Sequence, residues 1–177
     1  MKCNICPRNC NVDRKSDKGY CHMPDRLVVA RAALHMWEEP CISGEEGSGT
    51  VFFSGCNLKC VFCQNYNIAA GKSGKEISTD RLVEIFFELK EKKANNINLV
   101  TPSHYVKQIV TALEKAKNMG LDIPVVYNTS SYEKTDTLKL LDGLIDIYLP
   151  DFKYIDSNLS SRYSNASDYY NVASKAL

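Results

Sequence analysis

The fold and the chemistry of this chain are decided by Thr-Val-Phe-Phe-Ser-Gly-Cys-Asn-Leu-Lys-Cys-Val-Phe-Cys, residues 50–63. Its first five residues are β-branched, aromatic or small, which predicts a short buried strand that Gly55 ends. Cys56, Cys60 and Cys63 follow with the spacing C-x3-C-x2-C. Structural zinc sites and ordinary iron–sulfur cubanes close with four protein ligands. Three thiols on one loop therefore indicate a metal centre with an open position, where chemistry can take place.

The sequence after this loop alternates between short apolar runs and amphipathic stretches. Apolar runs at residues 97–101, 123–127 and 145–149 predict three more strands. The predicted helices begin at Ser78 or Thr79, at Ser103, near Thr135 and near Tyr169. This alternation is typical of an α/β fold with a parallel sheet and crossover helices, here with four β-α units. The cysteine loop is then expected at the carboxyl ends of the strands, where such sheets bind ligands.

Composition limits the classes of function that fit. The 177 residues are 44% hydrophobic, as in one ordinary globular domain with a core. A formal net charge of +1 offers no broad field for nucleic acid or an anionic membrane, so neither is expected as a partner. No apolar stretch approaches the length of a membrane span, and polar residues follow Met1, which predicts a cytoplasmic protein.

Eight cysteines, all within residues 3–63, point to metal or redox chemistry, because cytosolic thiols are kept reduced. Four of them form a second candidate metal site, for zinc or an auxiliary iron–sulfur cluster, and their spacing ranks neither metal first. These four are Cys3, Cys6, Cys10 and Cys21. Cys41 is left over and is expected to be a small buried hydrophobe. Residues 43–49 are all Gly, Ser or Glu, which is typical of a linker. This linker predicts a boundary between a cysteine-rich segment at residues 1–47 and a barrel-like segment at residues 48–177.

The motif C-x3-C-x2-C, with an aromatic residue before the last cysteine and after a first strand, resembles the radical S-adenosylmethionine (radical SAM) superfamily. The resemblance implies a partial (β/α) barrel in which Cys56, Cys60 and Cys63 hold a [4Fe-4S] cluster. The fourth iron then binds S-adenosylmethionine, whose reductive cleavage gives a 5'-deoxyadenosyl radical that abstracts hydrogen from a substrate. The electron donor implied is reduced flavodoxin or ferredoxin.

A closer likeness, to proteins related to the pyruvate formate-lyase activating enzyme, rests on residues 35–40, 55–66, 99–105, 127–129 and 149–154. It implies an oxidoreductase whose partner is a glycyl radical enzyme or a small molecule. The cofactor-binding residues implied are Phe62, Asn65, Thr101, Asn128, Thr129, Asp151 and Lys153. Thr101 stands where related activators carry a Gly-Gly-Glu run that meets the methionyl amine. These activators have more β-α units than this chain, so we expect a barrel that these residues leave incomplete.

Two other classes of function stay open. The chain could be an electron-transfer or cluster-carrier module without turnover, or a zinc-stabilised interaction module. At the loop, the alternative to a cubane is a zinc knuckle with a distant ligand such as His35. At the cofactor site, the alternative for Phe62 is a core residue, and the alternative for Asp151 and Lys153 is a surface ion pair. The alternative for Asn128 and Thr129 is a turn-forming role. No catalytic residue is assigned beyond the cluster.

Overall fold

A computed structural model describes residues 2–177. Its strands are β1 (Leu27–His35), β2 (Ser48–Phe53), β3 (Lys75–Ile77), β4 (Ile97–Val100), β5 (Val125–Thr129) and β6 (Ile147–Pro150). Its α-helices are α1 (Pro40–Ser43), α2 (Tyr66–Ala69), α3 (Thr79–Glu91), α4 (Val106–Asn118), α5 (Thr135–Leu138), α6 (Ser157–Ser164) and α7 (Tyr169–Ala176). The strands form one sheet in the order β3–β1–β2–β4–β5–β6.

The parallel half of the sheet sets up the ligand edge. β2, β4, β5 and β6 pair in parallel, so their carboxyl ends meet at one edge. The register aligns Phe52 with Val100 and Val100 with Asn128, and alternation puts these three side chains on one face. The four strands that the sequence predicts are confirmed, each with ends within two residues of the expectation.

Helices α3 and α4 cover the opposite face of the sheet. In α3, Ser78 is the N-cap, and its hydroxyl accepts a 3.0 Å hydrogen bond from the backbone N–H of Arg81. The buried residues of both helices recur at helical spacing and pack on the strands: Leu82, Val83, Phe86 and Leu89 in α3, and Val106, Ile109, Leu113 and Ala116 in α4. Burial of this apolar stripe is the main stabilisation of the fold.

Five elements were not expected from the sequence, namely β1, β3, α1, α2 and α6. β1 pairs antiparallel with both β2 and β3, and so extends the sheet on the side away from β6. Its residues mix Arg31 with alanines, which have low β propensity. α6 is rich in serine, a weak helix former, and is held by the Asp156 N-cap and by Asn165 in the left-handed region at its end. The division at residue 47 stays a prediction, although β1 shares the sheet with β2.

The sheet is open at β6. This strand pairs with β5 alone, and its residues Ile147 and Tyr148 are exposed. The chain therefore has the mixed α/β architecture of a partial barrel that does not close, with the cysteine-rich segment beside it. Among residues 2–177, no helix has the length and apolar character to cross a membrane.

Candidate cluster and cofactor site

The loop of three cysteines leaves β2 through Gly55, whose φ of +85° suits glycine. Leu58 anchors the loop in a small core with Tyr132 and Tyr169, where it is 2% exposed. The backbone N–H of Val61 donates a 2.9 Å hydrogen bond to the carbonyl of Tyr163, at the end of α6. Helices α6 and α7 thus contact the loop and support it.

The three thiols face one cleft of about 600 Å³, a size that suits a small cofactor. The backbone N–H of Leu58 lies 3.4 Å from Cys56 Sγ, and the Ser164 hydroxyl donates to Cys60 Sγ at 2.9 Å. Burial raises the pKa of the Cys56 thiol to about 12, and burial also raises the pKa of Cys63. The Cys56 and Cys63 thiols are therefore protonated in the apo protein, and metal binding must displace their protons.

The donor set fits a [4Fe-4S] cluster with one free iron. Cys56, Cys60 and Cys63 line the cleft, and its lining within residues 2–177 includes no fourth cysteine. The same residues contain no group of three or more His, Cys, Asp or Glu side chains placed to hold a metal ion. A zinc knuckle with His35 would need such convergence, whereas a cubane binds each thiolate to a different iron. His35 lines the same cleft as the three cysteines, so the zinc knuckle stays an alternative to the cubane.

All seven predicted cofactor-binding residues line this cleft. They are Phe62, Asn65, Thr101, Asn128, Thr129, Asp151 and Lys153. They come from the cysteine loop and from the carboxyl ends of β4, β5 and β6, which the parallel topology brings to one edge. Phe62 is 57% exposed, so it is a wall of the cleft rather than a core residue.

Two threonines in the cleft have constrained geometry. Thr101 has φ of +58°, a left-handed conformation that is rare for a β-branched residue, and its N–H donates to the carbonyl of Asn128 at 3.2 Å. Strain of this kind tends to occur at functional sites. The Thr129 hydroxyl donates a 2.6 Å hydrogen bond to Glu133 Oε1. The same hydroxyl oxygen accepts a 3.2 Å hydrogen bond from the backbone N–H of Ser131. Its donor capacity is therefore spent inside the protein.

Asp151 and Lys153 form an ion pair on the rim of the cleft. Lys153 Nζ lies 2.5 Å from Asp151 Oδ2, which agrees with the alternative that these residues form a surface ion pair. Both residues also line the cleft. The Tyr169 hydroxyl donates to the carbonyls of Ser130 and Asp151 and accepts from the N–H of Lys153 at 2.9 Å. This tyrosine of α7 fixes the backbone on which the pair sits.

Sequence comparison identifies the family to which this site belongs. The profile of the Radical SAM superfamily matches residues 50–171, more than half of the chain. The chain belongs to the radical SAM superfamily. It is also similar to the uncharacterized protein MJ0674 of Methanocaldococcus jannaschii, with 31% identity over 178 aligned positions. That alignment covers 96% of this chain and 51% of MJ0674, so the chain spans about half the length of this relative.

Membership implies a [4Fe-4S] cluster and S-adenosylmethionine, and radical SAM enzymes generally take electrons from flavodoxin or ferredoxin. The match begins at residue 50 and ends at residue 171, inside α7. It therefore includes the cysteine loop and the parallel half of the sheet except Ser48 and Gly49 of β2, and it leaves the four cysteines near the amino terminus outside.

The radical SAM cleft also contains residues that sequence reasoning missed. Arg31, Trp37, Glu38 and Glu39 line it, together with His35, which the sequence suggested only as the distant ligand of a zinc knuckle. Glu38 Oε2 accepts a 3.1 Å hydrogen bond from the amide of Asn128. The only available signal was the resemblance of residues 35–40 to activating-enzyme relatives.

Two residues of the amino-terminal segment do not lie where the sequence suggested. Trp37 is 88% exposed on the cleft rim, although an aromatic side chain of a folded segment usually packs against its neighbours. Cys41 is exposed rather than buried, because short helix α1 turns it away from the sheet. All eight cysteines are free, as expected for thiols kept reduced.

Proposed function

We propose that this radical SAM chain cleaves S-adenosylmethionine reductively to start hydrogen abstraction from a substrate. The observation that supports this is the convergence of Cys56, Cys60 and Cys63 with all seven predicted cofactor residues on one cleft. When bound, the cluster and its ligand supply the chemistry: one electron passes to the sulfonium and the C5'–S bond breaks to methionine and a 5'-deoxyadenosyl radical. The residues of the chain bind and orient that ligand.

Glu38 is the proposed partner of the methionyl ammonium. Thr101 offers no carboxylate where related activators carry glutamate, whereas Glu38 reaches the end of β5 through Asn128 at 3.1 Å. The Glu38 side chain is 13% exposed, so an ammonium beside it makes a partly desolvated charge-assisted hydrogen bond. Lys153 and Arg31, which line the same cleft, supply positive charge for the methionyl carboxylate. Phe62 offers an aromatic face to the adenine.

The substrate class proposed is that of activating enzymes: a glycyl radical enzyme or a small molecule from which the radical takes hydrogen. This rests on the resemblance of residues 35–40, 55–66 and 149–154 to proteins related to the pyruvate formate-lyase activating enzyme. We further propose a one-electron donor of the flavodoxin or ferredoxin class and a reducing compartment such as the cytoplasm, in which eight thiols stay free.

Anaerobic reconstitution with iron and sulfide, reduction by dithionite and assay for 5'-deoxyadenosine test the proposal. We expect product from the wild-type chain and none from Cys60→Ala, in which the loop loses a ligand. Cys41→Ala is the matched control, because this cysteine is exposed and outside both cysteine sets. It should retain wild-type iron content and product.

The other classes of function predict different results in the same assay. Iron and sulfide without 5'-deoxyadenosine would favour a carrier module, and zinc without acid-labile sulfide would favour an interaction module. Product that survives Cys60→Ala would overturn the site assignment.

A further inference from the structure

The end of α6 holds the middle cysteine of the loop from both sides. The backbone N–H of Lys59 donates to the carbonyl of Ser164 at 3.4 Å. On the other side of Cys60, the N–H of Val61 donates to the carbonyl of Tyr163 at 2.9 Å. Both bonds join main-chain atoms, so they do not depend on the side chain at position 164. They fix Cys60 beside the last turn of the helix.

A chain of two hydroxyls ends on the sulfur of Cys60. Ser164 is fully buried, and its hydroxyl donates to Cys60 Sγ at 2.9 Å. The hydroxyl oxygen of Tyr154 lies 2.7 Å from Ser164 Oγ. A serine hydroxyl has a single proton to donate. Because the Ser164 proton goes to the sulfur, Tyr154 donates its own proton to Ser164.

The direction of this chain suits a cysteine that is bound to iron. A cysteine binds metal as a thiolate, which has no proton and can only accept hydrogen bonds. Ser164 already donates to this sulfur in the metal-free chain. Donation from Tyr154 polarises the Ser164 hydroxyl and makes it a stronger donor. Since Ser164 is buried, bulk water does not compete for the bond.

We propose that Ser164, polarised by Tyr154, raises the reduction potential of the cluster on Cys56, Cys60 and Cys63, here called the loop cluster. The reduced cluster has one more negative charge than the oxidised cluster. A hydrogen bond to a cluster sulfur stabilises negative charge and therefore favours the reduced state. The inference rests on the loop cluster of the proposed function, but not on cleavage of S-adenosylmethionine.

The test measures the reduction potential of the loop cluster in the reconstituted chain without S-adenosylmethionine. The protein is poised anaerobically with dithionite and mediator dyes, and the paramagnetic resonance signal of the reduced cluster is followed. The signal of the loop cluster is the one that Cys60→Ala lacks. In Ser164→Ala, the ratio of reduced to oxidised loop cluster at a fixed solution potential should fall about tenfold, equivalent to about 59 mV for a one-electron couple.

Ser160→Ala is the matched control for this substitution. Ser160 is also a serine of α6 and is 1% exposed, but its hydroxyl donates to the backbone carbonyl of Ser157 at 3.1 Å. Its removal costs a buried hydroxyl of the same helix without touching a sulfur, so the potential should stay at the wild-type value. Equal potentials in Ser164→Ala and Ser160→Ala would overturn the proposal.

The main-chain bonds at Lys59 and Val61 should keep the loop in place without the Ser164 hydroxyl. We therefore expect wild-type iron and sulfide in Ser164→Ala. Loss of the cluster in this variant alone would show that the hydroxyl has a structural role and would overturn the proposal.

Tyr154→Phe is a second variant that leaves the Ser164 hydroxyl on the sulfur. It removes only the donation to Ser164, so the ratio of reduced to oxidised cluster should fall in the same direction by about twofold. An unchanged ratio would overturn the role of Tyr154.

The cleavage reaction and the effect on the potential fail separately. Formation of 5'-deoxyadenosine by Ser164→Ala at an unchanged potential would overturn only the effect of the hydroxyl. A lowered potential in a chain that makes no 5'-deoxyadenosine would support that effect and overturn the cleavage. A wild-type chain that assembles no loop cluster would overturn both.

Discussion

Arg8 Nε donates a 2.7 Å hydrogen bond to the backbone carbonyl of Asn57, one residue after Cys56. The same guanidinium reaches the carbonyl of Asn165 at 2.6 Å, at the end of α6. The Asn57 side chain in turn donates to the carbonyl of Tyr132 at 2.6 Å. One arginine from the cysteine-rich segment therefore clamps the cysteine loop against the helices that support it.

We predict that Arg8→Lys destabilises the apo chain by about 1–3 kcal/mol. Lysine keeps the positive charge but loses the planar fork that bonds two carbonyls and stacks on Tyr20. Urea unfolding under anaerobic conditions measures the change. Arg26→Lys is the control, because Arg26 forms an exposed ion pair with Glu76 and should change stability little. Equal effects of the two substitutions would contradict the clamp.

Gly55→Ala is expected to be much more harmful than Gly120→Ala. Both glycines have positive φ, +85° and +93°, so both substitutions impose similar backbone strain. A Cβ at Gly55 would also clash with Met23 Cγ and would lie 2.6 Å from the Cys21 carbonyl oxygen, whereas nothing lies within 4 Å at Gly120. The excess destabilisation from overpacking should be about 1–3 kcal/mol in urea unfolding. Similar losses at the two positions would show that Cys21 and the loop do not pack closely.

The parallel strands and the cysteine loop could be predicted because their signals are local. Apolar runs bounded by Gly or Pro mark β2, β4, β5 and β6, and the spacing of the thiols is itself the motif. The approach of the seven cofactor residues to one cleft then follows from parallel topology, without knowledge of any side-chain contact.

The contacts that join distant segments could not be predicted. Glu38 meets Asn128 across 90 positions and Arg8 meets Asn57 across 49, and no periodicity records either pair. α6 was missed because its serines have weak helix propensity, so its caps and its hydrogen bonds to the cysteine loop decide its conformation. In α6, tertiary contacts override the local helix propensity of the sequence.

We predict that Glu38→Gln weakens binding of S-adenosylmethionine to the reconstituted chain about tenfold. The substitution keeps the shape and an acceptor for Asn128 but removes the charge proposed to face the methionyl ammonium. Tenfold corresponds to about 1.4 kcal/mol, near the value of one hydrogen bond to a charged group. Anaerobic equilibrium dialysis measures it. Glu46→Gln, outside the cleft, is the control. Unchanged affinity in Glu38→Gln would remove this residue from the site.

Buried His104 should make the apo chain sensitive to acid. Burial lowers the pKa of its imidazole to about 3, and its Nε2 lies 2.7 Å from the Ser54 carbonyl oxygen, so the neutral ring donates there. The unfolded chain protonates this histidine near pH 6.5, whereas the folded chain does so only near pH 3. Its contribution to stability is therefore complete above pH 6.5 and is lost as the pH falls toward 3.

The wild type should accordingly lose stability from pH 6.5 to pH 4, by on the order of 3 kcal/mol from this group. His104→Gln, which keeps a donor toward Ser54 but cannot gain the charge, should have a smaller slope in urea unfolding across this range. His22→Gln is the matched control, because it makes the same substitution at an exposed histidine. Apart from the two histidines, both variants contain the same titrating groups. Identical dependence of stability on pH in the two variants would therefore show that His104 is protonated equally in the folded and unfolded chains.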